Sequence, residues 1–319
     1  GVSVATVSRV LNNANNVSLK TKKKVLKVLK KYGFEIDPWA RRLATKKRET
    51  NILTLISRRL QKDFDINSEG FYAIIMRGIK KASKWGSINI EMDTMETIIE
   101  KQAFKGMDGI ILLGSDTKEK HIIPIQKNDI PVILIDQYIP TVKIDCVVSN
   151  GFDGASYAIS HLVSHGLRNI IHIHGFLDHF SFKDRYDGYI YAMERHGLLP
   201  RTYEYDDESM EDMRPIIKRI LNVQGIPDGI FTSNDAIAMK TIETLKEFGI
   251  KVPEDVSIIG FDGSNEGRRF TPSLSSLKIP MEEMGSLAIK RLLDIIYGED
   301  IYPVKISLFT KFIKGESSI

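Results

Sequence analysis

Cysteine is nearly absent. Cys146 is the only one in 319 residues, which excludes an internal disulfide framework and a cysteine-rich zinc site and fits a reducing compartment. Long hydrophobic runs are missing as well. None reaches the roughly 18 residues of a membrane span, and no charged-then-apolar signal pattern opens the chain. A cytoplasmic location with no membrane partner is therefore expected. Acidic residues are scarce at the start of the chain. Residues 1–50 hold three (Glu35, Asp37, Glu49) against 13 lysines and arginines, a local +10 within a chain whose total is +4. A basic head on a mildly acidic body is the footprint of a polyanion binder, although a solvated lysine-rich helix face has the same composition. Catalytic signatures are lacking too. There is no phosphate-cradling glycine loop, nucleophile elbow or metal-ligand spacing, so neither an enzyme nor a cofactor is expected.

The composition, 42% hydrophobic and 27% charged, is that of a soluble chain long enough for two or three domains. Residues 4–13 and 19–32 read as short helices. In "SLKTKKKVLKVLKKYGF", Val25, Leu26, Val28, Leu29 and Tyr32 form a helical apolar stripe, Ser18 and Thr21 sit at its N-cap and first turn, and Gly33 sits at its C-cap. "DPWARRLATKKRE" is basic and short, with Pro38 suited to a first helical turn. From Asn51 onward apolar strand-like runs alternate with helical stretches, which predicts βαβ units and parallel sheets. An internal echo points to two similar α/β lobes: "KGMDGIILLGSD" with "GIPDGIFTSND", and "NDIPVILID" with "EDVSIIGFD". Ligands of open parallel sheets bind beyond the carboxyl ends of strands, where Asp136, Asn234, Asp235 and Asp262 fall. Helix N-capping is the competing role for each.

The segments "GVSVATVSRVLNN", "VSLKTKKKVLKVLKKYGF", "ARRLA", "RYDGY", "DGIFTSNDAIAMKTIETLKEFGIKVPEDVSIIGFDG" and "TPSLSSLKIP" occur in this order. With them the chain resembles, essentially end to end, the LacI/GalR (lactose repressor/galactose repressor) family of bacterial transcription regulators. The resemblance implies an α/β protein with two Rossmann-like lobes of periplasmic-binding-protein type, their parallel sheets flanked by helices. A small all-α helix–turn–helix headpiece precedes them. Its first helix would have to precede Gly1, and a chain beginning there is expected to bind operator poorly. The implied domains are a headpiece at 1–34, a hinge helix at 35–49, an N-terminal lobe at 50–149 and 280–304, and a C-terminal lobe at 150–279 and 305–319. The implied function is a homodimeric repressor of carbohydrate-utilisation genes, whose affinity for double-stranded, pseudo-palindromic operator DNA is set by a small effector, a sugar above all. A periplasmic-type solute receptor is the alternative, but it has no use for the basic headpiece.

Placed on the family pattern, Ser3 to Asn12 form the recognition helix. Val4 and Ala5 contact base edges without hydrogen bonding, and Arg9 suits a guanine edge. Thr6, Ser18 and Thr21 suit phosphates, with Ser3 and Asn16 alongside. Leu43 matches the minor-groove wedge, Ala40 and Ala44 let two hinge helices approach, and Arg41 and Arg42 meet the groove wall or phosphates. Ile36-Asp37 and Trp39 depart from the family there. For the effector the resemblance implies Ser57, Phe71, Tyr72, Asp136, His179, Ser181, Arg185, Asn234 and Asp262. Carboxylates, an amide and a guanidinium fit vicinal hydroxyls, and an aromatic fits a sugar's apolar face. His172 and His174 alternate on one strand and read as packed rather than metal-bound, and no metal site is expected. The loop "SRRLQKDFDINSEGF" lacks calcium-loop spacing and is expected to shape effector access.

Overall fold

The computed structural model describes residues 2–3, 6–7, 10, 17–31, 49–61, 64–83, 87–206, 212–298 and 302–319. In the basic N-terminal part, Ser3 and Ser18 each accept the backbone N–H three residues on, from Thr6 at 3.1 Å and Thr21 at 3.2 Å. Each thus caps a helical turn with its hydroxyl. Val10 and Val25 are buried. The second of these turns opens α1 (Leu19–Lys31).

Two α/β lobes follow. The first runs β1 (Thr50–Ile56), α2 (Arg58–Gln61), α3 (Phe71–Ser83), β2 (Ile88–Thr94), α4 (Met95–Lys101), β3 (Gly109–Leu113), α5 (Glu119–Gln126), β4 (Val132–Ile135) and β5 (Asp145–Ser149). The second runs α6 (Gly151–Ser164), β6 (Ile170–His174), α7 (Phe180–Arg195), β7 (Thr202–Glu204), α8 (Arg214–Gln224), β8 (Gly229–Thr232), α9 (Asp235–Glu247), β9 (Ser257–Asp262), α10 (Asn265–Arg269) and β10 (Ser275–Lys278). The chain then returns through α11 (Met281–Tyr297), β11 (Lys305–Leu308) and β12 (Lys311–Ile313).

Each lobe holds a six-stranded sheet, ordered β11-β5-β4-β3-β1-β2 and β12-β10-β9-β8-β6-β7. Every pairing is parallel except that of β12 with β10. β3, β4 and β5 are buried along their whole length, as parallel strands covered on both faces must be, which is why β3 and β4 read as unbroken apolar runs. The return helix α11 packs tightly against α3 within the first lobe. On Gly78 of α3, a Cβ would lie 2.1 Å from the Glu282 carbonyl oxygen, and on Gly285 of α11 one would lie 2.2 Å from that of Ile75. Only glycine lets these two helices meet at that distance.

The last lobe-to-lobe crossing corrects the expected boundary at 304. β11 pairs with β5 from Lys305↔Cys146 to Leu308↔Ser149, so it belongs to the first sheet, and the chain crosses between Leu308 and Lys311. The alternation of Ile306 and Leu308 packs against the core and carries the strand four residues further than expected. Asp145 secures its entry, accepting from Arg291 Nε at 2.5 Å and from the Val304 N–H at 3.1 Å. Among the described residues no helix is long and apolar enough to cross a membrane.

Candidate functional site

The carboxyl ends of both sheets face one cavity of about 210 Å³. Its walls come from Arg59, Leu60, Phe71, Tyr72, Ser115 and Asp136 of the first lobe, and from His179, Ser181, Phe182, Arg185, Asn234 and Asp262 of the second. The two carboxylates of the internal echo occupy equivalent places. Asp136 follows β4 with φ 63° and Asp262 ends β9 with φ 108°. Left-handed backbone costs a non-glycine residue of the order of 1 kcal/mol, and such strain concentrates at functional sites.

Arg185, from the first turns of α7, is buried to 2% exposure and lies against Asp262, its Nη2 3.3 Å from Oδ1. Its Nη1 donates to the Ser233 carbonyl, and its guanidinium lies 4.0 Å from the centroid of Phe261. Nε is buried with no partner among the described residues. Asp136 accepts from the Tyr72 hydroxyl at 2.9 Å, and that phenol oxygen in turn accepts the Ser115 N–H at 3.2 Å. Burial pushes the Asp136 carboxyl up to about 6, against the opposing pull of Arg185 and the Tyr72 hydrogen bond. Burial and the Asp136 charge together hold the Tyr72 phenol well above its ordinary value.

Contacts between the lobes flank the cavity. Ser115 Oγ lies 3.4 Å from His179 Nδ1, Lys118 Nζ 3.8 Å from Asp178, and Arg269 Nη2 2.9 Å from Glu69. The Tyr138 and Phe180 rings meet edge to face at 5.6 Å. The loop expected to shape access supplies Arg59 and Leu60 to the wall. It is pinned by Arg77 Nη1, which donates to the Ile66 and Ser68 carbonyls at 3.0 and 2.6 Å. Asp63 lies outside the described residues.

Of the effector residues expected from sequence, all but Ser57 line the cavity. Ser57 is instead spent on backbone, its Oγ accepting the Leu60 N–H at 3.4 Å and so starting α2. Asn234 has both roles: it lines the cavity while its Oδ1 caps α9 through the Ile237 N–H at 2.8 Å. Asp235 turns away. It is buried beneath the strand ends, accepting from Ser276 Oγ and the Ser264 N–H, each at 2.6 Å. Sequence reading missed Arg59, Leu60, Ser115 and Phe182. Ser115 follows β3 and was accessible to the same strand-end rule that found Asp136.

His172 and His174 are packed, as their alternation suggested. His172 Nδ1 lies 3.0 Å from the Phe231 carbonyl and Nε2 3.3 Å from Ser233 Oγ, and burial pushes the imidazole down to about 3, so it stays neutral. It thereby steadies the residue whose carbonyl holds Arg185. No group of three or more His, Cys, Asp or Glu side chains among the described residues could hold a metal ion. Of the expected DNA contacts, Ser3, Thr6, Ser18 and Thr21 form the two capped turns. Val4, Ala5, Arg9, Asn16, Ala40, Arg41, Leu43 and Ala44 lie outside the described residues.

Two parallel-sheet lobes closing on a polar cleft, with three chain crossings between them, define an α/β protein of periplasmic-binding-protein type. The model of the periplasmic binding protein-like domain matches residues 159–318, and that of bacterial regulatory proteins of the lacI family matches residues 1–36. Catabolite control protein A of Priestia megaterium is 30% identical over 301 residues, covering 91% of this chain and 88% of the relative. The probable HTH-type transcriptional repressor ExuR of Bacillus subtilis (strain 168) is 29% identical over 322 residues, covering 99% and 95%. The solved complex of the transcriptional regulator CelR with cellobiose shares the fold with a TM-score of 0.72 at 24% identity, covering 99% of this chain and 96% of that one. The chain belongs to the lacI family of bacterial regulatory proteins.

Proposed function

We propose that this chain is a sequence-specific DNA-binding repressor of carbohydrate-utilisation genes, controlled by a small polyhydroxyl effector, a sugar, held between the lobes. The observation that carries the effector half is the convergence of Asp136 and Asp262, strained strand ends from opposite lobes, around the buried Arg185. Fixed carboxylates accept from hydroxyls, Asn234 and Ser181 complete the polar set, and Phe71 with Tyr72 offers an aromatic wall. The CelR relative, solved with cellobiose, accords with such a ligand.

The DNA half rests on the lacI-family match over residues 1–36 and on the +10 charge of residues 1–50. In this reading 1–34 is the headpiece and 35–49 the hinge. Arg9 reads a base edge, Leu43 enters the minor groove, and two copies of the chain bind a pseudo-palindromic operator in the cytoplasm. The test has two parts. Selection from a random duplex pool finds the operator, and anisotropy then measures its affinity with and without each member of a sugar panel that shifts the thermal transition. A sugar that stabilises the protein and changes operator affinity is the expected result. A chain preceded by the headpiece's first helix that selects no sequence, or an operator affinity that no stabilising ligand alters, refutes the proposal.

A further inference from the structure

The geometry points to an uncharged monosaccharide as the occupant of the cleft, in preference to a sugar acid, a sugar phosphate or a disaccharide. This inference rests on the cleft being the effector site. Charge is the first reason. Both guanidiniums lining the cavity already face carboxylates: Arg185 meets Asp262 at 3.3 Å, and Arg59 Nε meets Asp116 at 3.4 Å. Asp136 adds a further buried carboxylate to the floor. Lys118 and Arg269 at the flanks are matched by Asp178 and Glu69. A ligand carboxylate or phosphate would therefore be desolvated beside Asp136 and Asp262 without a surplus cation among the described residues to receive it.

Donor geometry is the second reason. An arginine grips a carboxylate or phosphate with two parallel N–H bonds. Here Nη1 of Arg185 donates to the Ser233 carbonyl and Nη2 lies against Asp262, while Nε is buried with no partner among the described residues. A single hydroxyl or ring oxygen can take Nε with both of those contacts kept. The acceptors, by contrast, are abundant. Asp136 and Asp262 can each take hydroxyl protons, as neutral sugars require.

Size is the third reason. The cavity, about 210 Å³, falls below the range of roughly 300–1,000 Å³ that holds drug-sized ligands. The Ser115–His179, Lys118–Asp178, Tyr138–Phe180 and Glu69–Arg269 contacts close its flanks. One sugar ring fits, and a second would have to break these contacts.

Matched pairs of ligands test the inference: glucose with glucuronate and glucose 6-phosphate, galactose with galacturonate, xylose and ribose alone, and cellobiose. Calorimetric titration into the full chain should show a neutral monosaccharide binding at least tenfold tighter than its uronate or phosphate counterpart and than the disaccharide. Asp262→Asn, which frees the Arg185 fork, should narrow or invert the neutral-to-uronate ratio. A uronate, a sugar phosphate or cellobiose that binds tighter than every neutral monosaccharide, with binding lost in Arg185→Met, overturns this inference and leaves the cleft as the effector site. Binding of any sugar that Arg185→Met does not weaken, or no binding across the panel, overturns the cleft reading itself.

Discussion

Replacing Asp136 by asparagine should stabilise the protein while weakening its ligand. The amide is isosteric with the carboxylate and keeps an oxygen to accept from Tyr72, so the change removes charge and little else. In the folded chain the Asp136 carboxyl sits at about 6 against an ordinary value of 3.8, with burial as the dominant cause. Between those two values the folded state binds more protons than the unfolded one. Stability therefore falls as pH rises from about 4 to about 6 and is level above that. The gap corresponds to about 3 kcal/mol of cost carried by the ionised, folded form at pH 8, taken as an upper bound. The variant escapes that cost, so at pH 8 its Tm should exceed that of the parent by up to about 5 °C, with the difference vanishing near pH 4. His172 and Asp235, whose pKa values are also shifted, affect both proteins alike and cancel in the comparison. Effector affinity should fall about 10- to 100-fold, the loss of one charge-assisted hydrogen bond of about 1.5–3 kcal/mol. Differential scanning calorimetry from pH 4.5 to 8, with titration calorimetry at pH 7.5, measures both effects. An unchanged or lower Tm at pH 8, or a difference that does not depend on pH, refutes burial of the charge as the governing cost.

Arg291→Ala leaves Asp145 facing β11 without its guanidinium, and chemical denaturation should show a loss of about 3 kcal/mol. The double replacement Arg291→Met with Asp145→Leu should recover most of it, because no charge is then stranded. Gly78→Ala sets a methyl group against the Glu282 carbonyl and should cost at least about 1–3 kcal/mol by the same assay, since neither backbone can yield. Leu43→Ala should weaken operator binding by about tenfold in anisotropy titrations while leaving effector affinity unchanged. Equal operator affinity in that variant removes Leu43 from the DNA contact.

Much of the fold was legible because parallel strands covered on both faces have almost no freedom of composition. "GIILL", "PVILID" and "IIHIH" could hardly be anything but buried strands once helical stretches separated them. The site was legible to the extent that it depends on strand ends, which is how Asp136, Asn234 and Asp262 were found. It was not legible where one backbone unit decides. Ser57 and Ser115 both follow strands, yet a turn beginning at Ser57 takes its hydroxyl for the Leu60 N–H, whereas Ser115 remains on the wall. Asn234 and Asp235 are adjacent, and the angle at which α9 leaves β8 sends one to the cavity and the other beneath it. The orientation of Arg185 depends on a carbonyl 48 residues away, a contact that no local pattern encodes. The crossing beyond Leu308 was misplaced for a similar reason: the edge of the first sheet needed a sixth strand, and only the assembled sheet reveals that vacancy.

The arrangement around Asp136 also ties occupancy to closure. Its surroundings come from both lobes, with Tyr72 on its own side and Arg185 and His179 across the cleft. Parting the lobes returns water to the carboxylate and removes the attraction of Arg185 together with the desolvation cost. Because desolvation is the larger influence, an empty cleft is penalised for closing by its own buried charge. A ligand hydroxyl donated to Asp136 offsets that penalty in the closed form alone. This is the differential affinity that any ligand-driven shift between two states requires. A ligand bringing its own negative charge would enlarge the penalty instead. On the proposed function, the carboxylate that makes the closed state costly would thus also be the group through which a neutral sugar favours it, and stability and responsiveness should trade against each other at this one residue.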